Sequence, residues 1–300
     1  MPNESNANTN TNTNINSAAN ADESKLTPRE ENIIKRYEEI SMHKNRPTVN
    51  DYIPKIFDNF IELHGDRGYA DDKAIITGLA RFNGIPVTVI GQVKGRNTKE
   101  NIDTNFGMPH PEGYRKALRQ MKQADKFRRP IITFIDTPGA YCGVGAEERG
   151  QGEAIARNLM EMSRLRVPVV AVIIGEGRSG GALGIAQANK VLMLENATYS
   201  VISLKGFASI LWKDPKEAKS REKEAIVKQR MMAEDMLEFK VIDAIIPEPP
   251  EGAHKDPVLA AAAIKTALEI ALEPLLKMPP DEIYAQRYKK FRDIGYFNEL

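Results

Sequence analysis

The sequence predicts an α/β protein in which a mainly parallel sheet is covered by helices and the last third of the chain is helical. Two apolar runs, AIITGLARF and IPVTVIGQV, flank Asn83-Gly84, a dipeptide that favours a tight β-turn, and so predict a hairpin. Two continuous apolar runs of strand length, IITFIDT and VPVVAVIIG, are each followed by a helical pattern. Strands that alternate with helices pair in parallel through right-handed crossovers.

Composition restricts the classes of function. The 300 residues carry a formal net charge of +1, which favours a small-molecule or protein partner over nucleic acid or a membrane surface. No apolar run approaches the ~20 residues needed to cross a bilayer. Cys142 is the only cysteine, and the four histidines lack i, i+4 spacing, so neither an intrachain disulfide nor a local metal motif is predicted. We expect a cytoplasmic protein with no metal in this chain.

Three segments are predicted along the chain. Residues 1–25 are rich in Asn, Thr and Ala, and such a segment cannot bury enough apolar surface to offset its ordering entropy, so we expect a disordered tail. Residues 26–45 are predicted to form an N-terminal helix opened by Thr27-Pro28, a cap residue followed by proline. Residues 46–300 form the remaining, compact domain.

Within that domain the elements are predicted in order. Helical spacing of Tyr52, Ile53, Ile56, Phe57 and Phe60 predicts a helix ahead of the hairpin. The later segments with helical patterns are PEGYRKALRQMKQADKF, EERGQGEAIARNLMEMSRL, GGALGIAQAN, KEAKSREKEAIVKQ, MAEDMLEF, DPVLAAAAIKTALEIALEPLL and PPDEIYAQRYKKFRDIGYF, and KVLMLEN and TYSVIS are read as strands. The charged KEAKSREKEAIVKQ helix is interpreted either as solvated and held by Glu–Lys pairs or as a basic surface for an acidic ligand such as coenzyme A phosphates.

Glycine-rich turns follow both buried strands, DTPGAYCGVG after the first and GEGRSGGALG after the second. Open α/β sheets place ligands at the carboxyl ends of their strands. A helix that begins at Gly180-Gly181 presents unpaired backbone N–H groups with the positive end of the helix dipole behind them. The pattern therefore predicts a site that stabilises negative charge on a ligand oxygen. The alternative is that these glycines serve only backbone angles or helix packing.

Other chemistries fit the residues less well. The string Gly175, Gly177, Gly180 matches GxGxxG, but the acidic residue that a dinucleotide site needs, Glu195, comes too early. Ser179 is not in a G-x-S-x-G elbow, and Cys142 has no histidine near it in sequence. His110 is flanked by prolines and is interpreted as a turn residue. The absence of a strong side-chain nucleophile favours chemistry carried by bound groups, with the protein supplying amides.

Several motifs together resemble one family. The runs NFGMPHPEGYRKALRQMKQADKF, PIITFIDTPGAY, GAEERGQGEAIARNL, GEGRSGGALG, KVLMLENATYSVIS and ASILWKD occur in the order typical of the α subunit of bacterial acetyl-coenzyme A carboxylase carboxyltransferase, and the resemblance extends from Arg46 to Phe297. It implies a crotonase-like (ClpP/crotonase) fold of repeated β-β-α units. It also implies an α2β2 assembly with a β subunit of the zinc-ribbon type.

The reaction that this resemblance implies is transfer of carboxylate from carboxybiotin, held on the biotin carboxyl carrier protein, to acetyl-CoA. The product is malonyl-CoA, the first committed intermediate of fatty acid synthesis. Biotin is then not attached to this chain, and ATP is used only by the separate biotin carboxylase component. Gly180 and Gly181 match the glycines that face the biotin ureido oxygen, and Gly139, Ala140 and Tyr141 match a turn lining the same cleft. Arg178 and Ser179, beside them, are further candidates for substrate binding.

The chain departs from the family pattern at Gln92, Cys142, Arg178, Leu204 and Lys205, where the family has histidine, proline, glycine, proline and glutamate. If position 178 requires a positive φ, arginine there costs ~1 kcal/mol or more; alternatively its cation adds to the oxyanion site. These departures leave two other interpretations open. One is a catalytically impaired paralogue that acts as a scaffold or regulator. The other is the carboxyltransferase of a different acyl-CoA carboxylase or decarboxylase.

Overall fold

A computed structural model describes residues 26–295 of the chain. The predicted disordered tail, residues 1–25, lies outside the described residues. The strands are β1 Asp58–Glu62, β2 Ile75–Phe82, β3 Ile85–Gln92, β4 Ile131–Thr137, β5 Val169–Arg178, β6 Lys190–Leu194, β7 Thr198–Ser200 and β8 Ala244–Ile246. The helices are α1 Pro28–Lys35, α2 Val49–Ile56, α3 Thr98–Asp103, α4 Pro111–Lys126, α5 Val144–Glu148, α6 Gln151–Arg164, α7 Ser179–Ala186, α8 Leu204–Leu211, α9 Pro215–Ser220, α10 Glu222–Gln229, α11 Ala233–Glu238, α12 Pro257–Leu276 and α13 Pro280–Arg292.

The eight strands form one sheet in the order β1-β2-β3-β4-β5-β6-β8, and β7 pairs with the end of β5. The first three strands are antiparallel, and the pairs from β3 onwards are parallel. The predicted hairpin is confirmed, since β2 and β3 pair from Ile75–Gln92 to Phe82–Ile85 around Asn83-Gly84. β4 and β5 are buried along nearly their whole length, as expected for continuous apolar runs.

The helices that carry the site pack on this sheet through small residues. Helices α4, α6 and α7 contact one another, and α7 also contacts β4 and β5. Gly184 allows α7 to approach α4, because a Cβ at this position would lie 2.7 Å from the Tyr114 ring. Helix α12 packs on α2 and on β5, which closes the main core. The amino end of α7 is therefore fixed from several directions.

The predicted N-terminal helix is present and begins at Pro28. Thr27 and Glu30 form a capping box, and the helix continues past Lys35 as a π-helical segment over Arg36–Ser41. Its apolar side chains join α8, α9 and α10 in a second, smaller cluster. The buried members of that cluster are Ile34, Tyr37, Leu204, Ala208, Trp212, Ala218, Ala225, Ile226 and Met231.

Several predicted elements differ in the structure. Phe60 lies in β1 and not in a helix, because α2 ends at Ile56. The helix predicted over EERGQGEAIARNLMEMSRL is divided into α5 and α6, since Gly150 adopts a φ of 82° between them. The charged helix is likewise divided, into α9 and α10, and the predicted TYSVIS strand is only three residues long. Helix α3 and strand β8 were not predicted.

Candidate functional site

The two glycine-rich turns lie against each other at the carboxyl ends of β4 and β5. These strands are parallel neighbours, with Thr137 paired to Gly177. A Cβ on Gly181 would lie 2.4 Å from the Ala140 nitrogen and 2.5 Å from the Gly139 carbonyl carbon. Those contacts are with backbone atoms that cannot rotate away, so glycine alone fits at position 181. The structure thus brings Gly139, Ala140 and Gly181, all predicted site residues, into direct contact.

The second turn is not a loop, because β5 continues through Gly175, Glu176 and Gly177 to Arg178. The first half of β5 pairs with β6, and the last three residues of β5 pair with β7. Helix α7 then begins at Ser179 without a side-chain cap. Within residues 26–295, the main-chain N–H groups of Gly180 and Gly181 donate to no side chain and to no backbone carbonyl of another element. These amides keep the donor capacity that an oxyanion site requires.

The space in front of the turn is open. Gly139 has a φ of 143°, which only glycine adopts readily, and a Cβ there would meet no atom within 4 Å. Ser179 is exposed, and Gly180, Ala140 and Tyr141 are partly exposed, whereas Gly181 is buried. The Tyr141 side chain is held in place by stacking of its ring on His110, with 4.2 Å between the ring centroids. A ligand oxygen can therefore reach this corner from solvent.

The backbone strain at this junction falls on Ser179 and not on Arg178. Arg178 is extended, with φ −122° and ψ 135°, so position 178 does not require a positive φ and the conditional strain cost does not apply there. Ser179 has φ 55°, in the left-handed region that costs most residues about 1–2 kcal/mol. The strain arises because the chain turns sharply from β5 into α7 within one residue.

Substitutions at Ser179 test this strain. We expect Ser179→Val to have a free energy of unfolding about 2 kcal/mol below that of Ser179→Gly, since a β-branched residue tolerates positive φ poorly. Ser209 is exposed and lies in the regular helix α8. There valine is the better helix former, so the same pair is expected to rank in the opposite order. Urea unfolding of the four variants makes the comparison, and equal stability of the two Ser179 variants would contradict it.

Arg178 is buried, with only 3% of its surface exposed. Its guanidinium contacts Glu176 at 3.0 Å and donates to Ser200 Oγ at 3.0 Å and to the Ile202 carbonyl at 3.2 Å. This side chain therefore ties the end of β5 to β7 and to the segment before α8. Its contacts in the structure are with the protein scaffold, which favours a role in positioning the α7 start.

A cluster of charged side chains that was not predicted from the sequence lies beside the carboxyl ends of β4 and β5. Lys94 lies 2.8 Å from Asp136 and 2.6 Å from Glu176, and Glu176 also pairs with Arg178. Burial alone raises the pKa of Glu176, but the Lys94 and Arg178 cations more than offset it and hold that pKa below its ordinary value. Burial likewise opposes the charge of Lys94, yet Asp136 and Glu176 raise its pKa. Glu176 and Lys94 therefore stay ionised at neutral pH, and their ion pairs tie the segment after β3 to the ends of β4 and β5.

Two further buried polar side chains contact Gly181, and neither contact was predicted from the sequence. Gln92 Nε2 donates to the Gly181 carbonyl at 2.7 Å, and the Tyr114 hydroxyl donates to the same carbonyl at 3.0 Å. Burial raises the pKa of Tyr114 well above its ordinary value, so the phenol stays protonated and remains a donor. The available sequence signal was a glutamine as the last residue of a largely apolar strand, where a buried polar group needs partners.

The remaining predicted residues and departures lie around this corner. Cys142 is exposed beside Tyr141. Leu204 opens α8 and is buried in the second cluster, whereas Lys205 is exposed; Ser203 caps that helix by accepting from the Gly206 N–H at 3.2 Å. Residues 26–295 bring together no group of three or more His, Cys, Asp or Glu side chains suited to a metal ion. In the same part of the chain, no helix has the length and apolar character needed to span a membrane.

Comparison with known proteins identifies the family of the chain. The family model described as acetyl co-enzyme A carboxylase carboxyltransferase-like matches residues 3–295. The acetyl-coenzyme A carboxylase carboxyl transferase subunit alpha of Clostridium botulinum (strain Eklund 17B / Type B) is 58% identical over 257 residues, which are 86% of this chain and 92% of that protein. A protein of the same name from Thermus thermophilus is 57% identical over 261 residues, 87% of this chain and 81% of that one.

Solved structures share the fold at lower identity. Transcarboxylase 12S is 22% identical with a TM-score of 0.61, over 79% of this chain and 44% of that one, so this chain spans less than half of its length. A chain of a Pseudomonas malonate decarboxylase hetero-tetramer in complex with coenzyme A is 17% identical with a TM-score of 0.59, over 72% and 85% of the two chains. The predicted crotonase-like α/β fold is confirmed by these neighbours and by the parallel sheet. On the family match and the near-complete overlap with curated relatives, the chain belongs to the family of acetyl-coenzyme A carboxylase carboxyltransferase α subunits.

Proposed function

We propose that this chain is the α subunit of a carboxyltransferase that moves carboxylate from carboxybiotin, on a biotin carboxyl carrier protein, to acetyl-CoA. The observation that carries the proposal is the pair of main-chain N–H groups at Gly180 and Gly181, which have no partner in another element within residues 26–295. They lie at the amino end of an α-helix, where the dipole favours negative charge. This half of the site then binds the ureido oxygen of biotin.

The residues present fit such a group. A ureido oxygen needs two converging donors and close approach to backbone, and Gly139 leaves open space where a side chain would otherwise stand. When bound, carboxybiotin supplies the carboxylate that is transferred. The amides of α7 stabilise negative charge on the oxygen, and one such donor is typically worth about 3 kcal/mol of barrier. Gly181, packed on Ala140, fixes the direction of the donors relative to the turn.

A partner subunit is part of the proposal. The elements that carry the site expose apolar side chains, Val144 in α5 at 75% and Leu183 in α7 at 41%. Exposed apolar residues beside a catalytic corner are what a second subunit would cover. We propose that a β subunit of the zinc-ribbon type binds here in an α2β2 assembly and contributes the site for the acyl-CoA thioester. The acyl-CoA preference then depends mainly on that partner.

Reconstitution tests the function. The chain, its cognate β subunit and their mixture are assayed for malonyl-CoA-dependent carboxylation of free biotin, with methylmalonyl-CoA as a parallel donor. We expect turnover from the mixture alone, because each subunit supplies half of the site. Carboxylation of biotin by this chain without β would contradict a site that is shared between the two subunits. A heterotetramer that forms but is inactive with both donors would favour a scaffold role and contradict the proposal.

A further inference from the structure

Gln92 occupies an unusual place for a glutamine, since it is fully buried at the end of β3 between the sheet and α7. Both the nitrogen and the oxygen of its side-chain amide form hydrogen bonds. Nε2 donates to the Gly181 carbonyl at 2.7 Å, and Oε1 accepts from the Asp136 N–H at 3.1 Å. One partner is an acceptor and the other is a donor, so the amide has one orientation that satisfies both. The side chain thus links the end of β4 to the first turn of α7.

The Gly181 carbonyl is held by more than one group. The Tyr114 hydroxyl from α4 donates to it at 3.0 Å, and the α-carbon of Gly181 lies against the Gly139–Ala140 backbone. The Gly181 peptide is therefore fixed by side chains of β3 and α4 on its carbonyl oxygen and by the turn after β4 at its α-carbon. Because each peptide unit is planar, fixing this carbonyl also fixes the direction of the next N–H, that of Ala182 in the first turn of α7. The Gly181 α-carbon, held by the turn after β4, is also the end of the preceding peptide, which carries the Gly181 N–H.

A role in packing alone does not explain a glutamine at this position. An apolar side chain of similar size fills the same volume without the cost of burying an amide. It would also leave the Asp136 N–H without its side-chain acceptor. What the amide adds is a matched donor and acceptor that join two elements of the site at a set distance.

We propose that Gln92 is a positioning residue, which together with Tyr114 holds the Gly181 peptide so that the amides at the start of α7 point at the developing oxyanion. This inference rests on the proposed function of Gly180 and Gly181. It adds that donor direction, and not only donor presence, is set by a buried amide 89 residues away in sequence. Electrostatic stabilisation depends on such preorganisation, because donors that must reorient contribute less in the transition state.

The first test uses the reconstituted complex. We expect Gln92→Met to lower kcat for free biotin carboxylation about tenfold with the KM for malonyl-CoA unchanged, since a positioning loss is smaller than the 10²–10³ of a lost donor. Tyr114→Phe, which keeps the ring packed on Gly184, is expected to lower kcat two- to threefold. Gln120→Met is the matched control, because Gln120 is equally buried but lies within α4. Unchanged kcat in Gln92→Met, with assembly intact, would overturn the inference.

The second test has a readout that a purely structural role would not produce. In Gln92→His a neutral imidazole offers one donor and one acceptor, as the amide does, whereas an imidazolium offers two donors and faces the Asp136 N–H with the wrong group. We expect near wild-type kcat at pH 8 and a fall at low pH that wild type lacks, below the ordinary imidazole pKa of about 6.5 because burial disfavours the imidazolium. The titratable groups nearby are Lys94 just after β3, Tyr114 of α4, Asp136 of β4 and Glu176 of β5.

The outcomes separate the inference from the function on which it rests. A pH profile of Gln92→His identical to wild type overturns the positioning role, even where Gln92→Met fails to fold. An acid limb that is matched by loss of the folded complex, followed by its circular dichroism at each pH, also overturns it. A wild-type complex without turnover overturns the proposed function instead, and is recognised before any variant is compared.

Discussion

Replacing Gly181 with alanine is expected to lower the turnover of the reconstituted complex at least a hundredfold. The added Cβ would lie 2.4 Å from the Ala140 nitrogen, so either the turn after β4 or the start of α7 must move. A shift of that kind misdirects the amides that face the oxyanion, and loss of one such donor typically costs 10²–10³ in kcat. The measurement is kcat for malonyl-CoA-dependent carboxylation of free biotin.

Gly152 provides the matched control for this substitution. It lies in helix α6, and a Cβ there would meet no atom within 4 Å. Gly152→Ala should keep wild-type turnover and gain about 0.5–1 kcal/mol of stability, as alanine does in a helix. Size-exclusion chromatography checks that both variants assemble. An assembled Gly181→Ala complex that turns over within threefold of wild type would contradict the assignment of the oxyanion site.

The second substitution with a large expected effect is at Arg287, and the quantity it changes is the free energy of unfolding. Arg287 of α13 is fully buried and donates to the carbonyls of Met162 at 2.9 Å, Leu165 at 2.7 Å and Val167 at 2.8 Å. These carbonyls lie at the carboxyl end of α6 and just before β5, where helix geometry leaves acceptors unpaired. Burial lowers the pKa of Arg287 to about 10, which still leaves the guanidinium charged at neutral pH. One side chain thus docks α13 and caps α6.

We expect Arg287→Met to lower the free energy of unfolding by about 3 kcal/mol or more, because several buried carbonyls lose charged donors at once. Arg292, exposed on the same helix, is the control, and Arg292→Met should change stability by less than about 0.5 kcal/mol. Urea unfolding of the chain gives both values. A loss below about 1 kcal/mol at Arg287 would show that water replaces the guanidinium.

The predicted hairpin, buried strands and late helices depended on local signals. Asn83-Gly84 specifies a tight turn whatever surrounds it, and IITFIDT and VPVVAVIIG are too apolar for any place except the interior of the sheet. The wrong predictions occur where local sequence signals and tertiary contacts favour different structures. GEGR reads as a turn because of its glycines, yet it continues β5, since β7 supplies a ladder partner that is distant in sequence.

The site could be predicted only in part for the same reason. Gly180 and Gly181 were predicted because glycines at a strand–helix junction carry a local meaning. The contacts that Gln92 and Tyr114 make with Gly181 were not, because 89 and 67 residues separate them from it. Whether position 178 has a positive φ was left open, and the structure places the positive φ at Ser179, because the φ at a junction depends on how the helix packs.

By itself the sequence determined the α/β class, the order of most elements and the residues able to present bare amides. These properties follow from periodicity, turn chemistry and the absence of a side chain, all of which act over a few residues. Only the tertiary structure decided which carbonyl Gln92 reaches, why Gly181 admits no side chain and where Arg178 points. Such contacts join segments whose separation along the chain carries no information about their distance in space.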